Sequence, residues 1–102
     1  MKTYQEMLEK DLGFTSGTDV LVKKLEEILG TATDEIIEAL LSYLCNPKLI
    51  QRTFGIANVG KVKAIHTGKR ETTLKGMKSL GLTVVGNGLI NIAKYIKEVK
   101  SQ

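Results

Sequence analysis

Six cations crowd the stretch from position 61 to position 78: Lys61, Lys63, Lys69, Arg70, Lys75 and Lys78, set among Gly60, Gly68 and Gly76. Ammonium and guanidinium groups neutralise phosphate oxygens, and glycines let backbone amides approach the same anion. The chemistry this suggests is polyanion binding, with nucleic acid as the leading partner. Charge along the whole chain sharpens the point. Residues 1–55 hold six Lys/Arg against nine Asp/Glu, a net of −3, and residues 56–102 hold nine against two, a net of +7. An overall +4 is ordinary, but a basic half joined to a mildly acidic half reads as a scaffold carrying one polyanion-facing surface. The plain alternative is a lysine-rich face that is simply solvated.

Other chemistries find little support. His66 stands among Ile65, Thr67, Gly68 and Lys69 with no Cys or carboxylate at ligand spacing, which is the setting of a surface or turn histidine. Cys45 is the single cysteine and falls on the apolar face of an expected helix, so it reads as a small buried hydrophobe. Gly68-Lys69-Arg70 looks like the end of a phosphate-binding loop, but no G-x-x-x-x-G-K-[ST] is present. Adjacent carboxylates such as Glu26-Glu27 and Asp34-Glu35 point in different directions on a helix and do not converge. Five aromatics and no Trp argue against a base-stacking platform for single strands. The expectation is a non-enzyme with no cofactor, no bound metal and no small-molecule substrate.

The elements that must position these cations are written in two styles. In the first half, Thr3 and Glu6 form a capping box before Tyr4, Met7, Leu8 and Leu12, with Gly13 as a stop. A second helix starts at Thr18 or Asp19, carries Leu21, Val22, Leu25, Ile28 and Leu29 with an i,i+4 pair Lys23–Glu27, and ends at Gly30. Thr31 and Thr33 compete to cap a third, which puts Ile36, Ile37, Leu40, Leu41 and Leu44 on one face. Asn46-Pro47 caps a fourth from Pro47 to about Phe54. Glycines punctuate the second half every five to ten residues, and only Leu89, Ile92, Ala93, Ile96 and Val99 make a clear helical stripe there.

Two segments of that half echo each other at an offset of 26 positions, Ile56 to Ala64 and Leu82 to Ile90, each an aliphatic, two spacers, Val-Gly, three spacers and an apolar residue. The spacing resembles the helix-hairpin-helix motif, which binds the DNA backbone without sequence preference. The resemblance implies a hairpin at Asn58, Val59 and Gly60 whose outward amides hold a phosphate, with Lys61 and Lys63 beside it. Asn58 stands where the family has its first glycine, a residue that tolerates the left-handed region. In the second copy Val84 holds that position, which a β-branched side chain resists.

The same region also resembles repressor-type helix-turn-helix domains, through Asn46 to Gly55, a helix over Lys61 to His66, Gly68-Lys69-Arg70, Leu74, Met77 and Leu80-Gly81. That resemblance implies base readout by Asn58, Lys61, Lys63 and His66, and a backbone clamp at Lys69 and Arg70; Gly60 inside the reading helix and a short following helix are its departures. A third reading makes Val62 to Thr67 and Thr72 to Leu74 a hairpin, with Leu82 to Val85 as a third strand.

The fold expected is mainly α, one domain over residues 1–102 built as a compact bundle of about six short helices, with a small β-hairpin in the C-terminal half as the alternative for residues 59–74. Residues 1–55 form the acidic scaffold and residues 56–102 the basic module. The nucleic-acid-binding set is Asn58, Gly60, Lys61, Lys63, Lys69, Arg70, Lys75 and Lys78, with double-stranded DNA as the partner. With no signal-peptide core and no unbroken apolar span, no membrane partner is expected and the location expected is cytoplasmic. The competing class is an interaction, immunity or phage-type accessory protein, in which Leu82, Val84, Leu89 and Ile92 form a docking strip or homodimer seam.

Overall fold

Thr3 opens the first helix as its spacing to Glu6 predicts, its hydroxyl accepting the Glu6 N–H at 3.1 Å. The computed structural model describes residues 2–46 and 70–100. Helix α1 (Tyr4–Glu6) passes directly into a π-helical turn over Met7–Asp11, where the Leu12 N–H reaches back to the Met7 carbonyl at 3.1 Å. Widening this turn brings Tyr4, Met7, Leu8 and Leu12 inward together, each 1% exposed or less. The Phe14 N–H then bonds the Leu8 carbonyl at 2.8 Å, which turns the chain out of the helix at Gly13.

Helix α2 (Asp19–Leu29) buries Leu21 and Leu25 and half-buries Val22, Ile28 and Leu29. Thr18 precedes it but does not cap it; its hydroxyl is bonded to the Gln5 amide at 2.9 Å, joining α1 to the start of α2. Gly30 ends the helix at φ 79°, its N–H on the Glu26 carbonyl at 2.7 Å. The expected Lys23–Glu27 pair does not close, and the ion pair formed among the described residues is Lys2–Asp11 at 3.1 Å.

Thr33, and not Thr31, caps helix α3 (Asp34–Leu44), accepting the Ile36 N–H at 3.3 Å, with Asp34 and Glu35 at the end where the helix dipole favours anions. Ile37, Leu40, Leu41 and Leu44 are buried from this helix. Cys45 closes it half-buried, less enclosed than its place on the apolar face suggests.

Two further helices follow among the described residues, α4 (Arg70–Met77), continued by a 3-10 turn over Lys78–Leu80, and α5 (Leu82–Lys100). Thr72–Leu74 is therefore inside α4 and Leu82–Val85 inside α5, so neither is a strand, and no strand occurs among the described residues. The reason lies in α5, where Val85, Leu89, Ile92, Ala93 and Ile96 recur at helical spacing and are all buried. Val99 departs from the stripe at 49% exposed. The expected helix from Pro47 to Phe54 and the strand Val62 to Thr67 lie outside the described residues.

Helix α5 packs on both α2 and α3, and α1 packs on α2. Gly86 faces Leu21 of α2: a methyl there would sit 3.4 Å from Leu21 Cδ2, an ordinary contact distance. Tyr43 and Tyr95 meet edge to face between α3 and α5, with centroids 5.7 Å apart.

One polar atom is out of place in this core. Tyr4 is 1% exposed and its hydroxyl has no hydrogen-bond partner. Burial, and secondarily the Glu26 carboxylate, hold its phenol pKa above the ordinary value of 10.0.

Two outcomes follow for stability. Leu89→Ala lowers the unfolding free energy by about 2–5 kcal/mol, whereas Val99→Ala stays within about 0.5 kcal/mol; urea midpoints read both. An unfolded tyrosine loses its proton before the buried Tyr4 does, so Tyr4 contributes stability that is complete below about pH 10 and is lost as pH rises through the folded value. Tyr4→Phe should flatten that alkaline decline, and at neutral pH it should be neutral or stabilising because an orphaned hydroxyl is removed. A variant that declines with pH as steeply as the parent contradicts this.

Candidate nucleic-acid interface

Helix α4 presents the described part of the basic region. Thr73 and Met77 lie one turn apart and are fully buried, and Leu74 and Leu80 pack half-buried beside them. With that side against the core, Lys75 falls on the opposite side of the helix, and it is exposed. Lys78 follows three residues later in the 3-10 turn and is exposed as well. Both lysines stand at the carbonyl end of α4, where cations are favoured. Ser79 donates to the Gly76 carbonyl at 2.6 Å and satisfies one acceptor of that end.

The two lysines differ in freedom. Lys78 lies across Gly13, close enough that a methyl at Gly13 would meet its Cδ at 2.8 Å and its Nζ at 2.9 Å. Its aliphatic stem thus covers the loop after the π-turn while its residue stays open to solvent. Neither lysine forms an ion pair with the described residues.

Of the other residues assigned from sequence, Arg70 begins α4. Asn58, Gly60, Lys61, Lys63 and Lys69 lie outside the described residues, as does His66. The second echo does not form a hairpin: Leu82 to Ile90 is helical throughout, and Gly86 is absent from the positive-φ residues. Its glycine sits against Leu21 of α2. The proposed docking strip also changes meaning. Leu89 and Ile92 are at most 1% exposed, and Leu82 and Val84 pack half-buried against the core, so this stripe is spent inside the molecule.

Two features escaped the sequence. Lys94 and Lys97 are exposed on α5, three residues apart and so on one side of it. Lys94 shares a recess of about 390 Å³ with Asn91, Tyr95 and the acidic Glu98. A cleft of about 510 Å³ opens between the start of α1, the end of α2 and the loop into α3. Among the described residues, no three His, Cys, Asp or Glu side chains come together as a metal site, and no helix is long and apolar enough to cross a membrane.

Comparison with family models, with curated proteins and with solved structures finds no match to this chain. Its functional reading therefore rests on its own charge and geometry.

The Lys78–Gly13 contact gives a direct test. Gly13 adopts φ +74°, so Gly13→Ala costs about 1–2 kcal/mol from the left-handed backbone alone. The lysine tip is flexible and moves aside cheaply. A double-mutant cycle with Lys78→Ala should thus show coupling below about 0.5 kcal/mol; rescue of most of the loss by Lys78→Ala would instead make the contact the dominant strain.

Proposed function

We propose that this chain is a small non-enzymatic protein that binds nucleic acid, duplex DNA first, chiefly through the phosphate backbone. The observation that carries the reading is the charge of residues 56–102, nine Lys/Arg against two Asp/Glu. Support comes from α4, which turns Lys75 and Lys78 to solvent while its buried side ties it to the core. Neither lysine forms an ion pair with the described residues, so their ammonium groups are available to phosphates.

In this reading Asn58, Gly60, Lys61 and Lys63 form the helix-hairpin-helix contact, or, on the helix-turn-helix reading, the start of a major-groove helix. Lys69 and Arg70 then clamp the backbone at the start of α4, where amide hydrogens and the helix dipole favour a phosphate. A helix over Pro47 to Phe54 completes a six-helix bundle with α1 to α5. The protein works in the cytoplasm with no metal, cofactor or small-molecule substrate.

Fluorescence anisotropy with a random duplex tests the proposal. Affinity should fall by orders of magnitude between about 50 and 200 mM salt, as phosphate neutralisation requires. Lys75→Ala with Lys78→Ala should reduce the slope of log affinity against log salt by about two, without loss of helicity. Lys61, Lys63, Lys69 and Arg70 changed together to alanine should abolish binding. No binding at low salt, or binding indifferent to salt, overturns the reading.

A further inference from the structure

Helix α5 turns a polar side to solvent as well as an apolar side to the core. Thr83, Asn87 and Lys94 recur at intervals of four and seven residues, so they form a line along the helix opposite the buried Leu89 and Ile96, and all three are exposed. Lys97 flanks the line one turn after Lys94 and is exposed too. At about 1.5 Å per residue, the line from Thr83 to Lys97 runs for about 21 Å.

A lysine of the acidic half joins this line. Lys24 of α2 is exposed and borders the groove between α2 and α5 together with Thr83 and Asn87. Its neighbour Lys23 is exposed but does not border that groove, since successive residues of a helix diverge by about 100°. None of Lys24, Lys94 and Lys97 forms an ion pair with the described residues. The acidic Glu98 stands with Tyr95, on the side of α5 that meets Tyr43 of α3.

The line also leads back to the cations of α4. Lys78 lies over Gly13, and a methyl at Gly17 would sit 3.4 Å from Leu82 Cδ2. One loop, from Gly13 to Gly17, thus borders both Lys78 and the start of α5.

We infer that the outer side of α5 is a second row of phosphate contacts, in which Lys24, Lys94 and Lys97 each neutralise a phosphate and Thr83 and Asn87 hydrogen-bond the backbone between them. The inference rests on the nucleic-acid reading and extends it: the interface is not confined to the basic half, because the fold carries Lys24 of the acidic half to the same surface. A row of about 21 Å reaches several successive phosphates of one strand, which follow at about 3.4 Å along the duplex axis. Ammonium, hydroxyl and amide groups in a line serve the backbone and carry no base preference of their own.

Two lysines adjacent in sequence supply the test, read by fluorescence anisotropy of the full chain on a random duplex over a salt series. Lys24→Ala should weaken binding about five- to tenfold at about 0.1 M salt and lower the slope of log affinity against log salt by about one. Lys24→Arg should restore both. Lys23→Ala removes the same charge from the same helix and should leave the slope of the parent. Lys94→Ala with Lys97→Ala should lower the slope by about two. All four positions are exposed, so circular dichroism of each variant should match the parent. A parent that binds with a steep salt slope, together with a Lys24→Ala variant of equal slope or a Lys23→Ala variant that loses as much, overturns the second row and leaves the nucleic-acid reading standing. A parent that does not bind at low salt overturns both.

Discussion

Burial of one side of α5 between α2 and α3 is the constraint on which the rest depends. Leu89, Ile92, Ala93 and Ile96 leave water together, and at about 25 cal/mol per Å² such a stripe outweighs any single polar contact in the molecule. It also sets what α5 can do elsewhere. Once these residues are core, they are unavailable to a partner, and the large apolar side chain of α5 left exposed is Val99 near its end. Gly86 lies on the same side, against Leu21 of α2, and the helix tolerates it there although glycine is unfavourable inside a helix.

The N-terminal half was legible because its signals are local. Thr3 and Thr33 cap helices through bonds that span three residues, and Gly30 stops one by a backbone conformation that other residues resist. Such choices are decided within a turn of helix, and the sequence displays them openly. The π-turn after α1 was not legible. It arises because Tyr4, Met7, Leu8 and Leu12 must all face into the shared core, and that demand is made by the tertiary structure.

Leu82 to Ile90 shows where local reading misleads. Its Val-Gly echo of the Ile56 segment looks like a repeated hairpin, yet the helical stripe that continues to Ile96 governs the outcome. Val84 already opposes a hairpin in this copy, and packing along the stripe completes the helix. The cleft at Tyr4 escaped for a related reason. Its lining comes from three stretches separated in sequence, and no spacing rule connects Thr3 to Glu26 or Ala32. On the basic side the sequence offered a set of eight residues; Lys75 and Lys78 come out exposed on neighbouring turns, and the greater part of the set lies beyond what is described.

Charge and fold turn out to be separable in the described residues. The sequence divides into an acidic and a basic half, but the core does not respect the division, since residues from Tyr4 to Ile96 share one cluster. No ion pair between described residues joins the two halves. The ion pair formed, Lys2–Asp11, lies within the acidic half and is partly exposed, a kind of contact worth at most about 1 kcal/mol. Apolar contact therefore carries the assembly and leaves Lys75, Lys78, Lys94 and Lys97 at the surface. A surface whose charges are not needed for stability is one that selection can tune for a polyanion without rebuilding the core beneath it. By the same logic Glu26, exposed on α2, can be replaced without disturbing the core, whereas the ring of Tyr4, shut inside, cannot be removed without leaving a cavity.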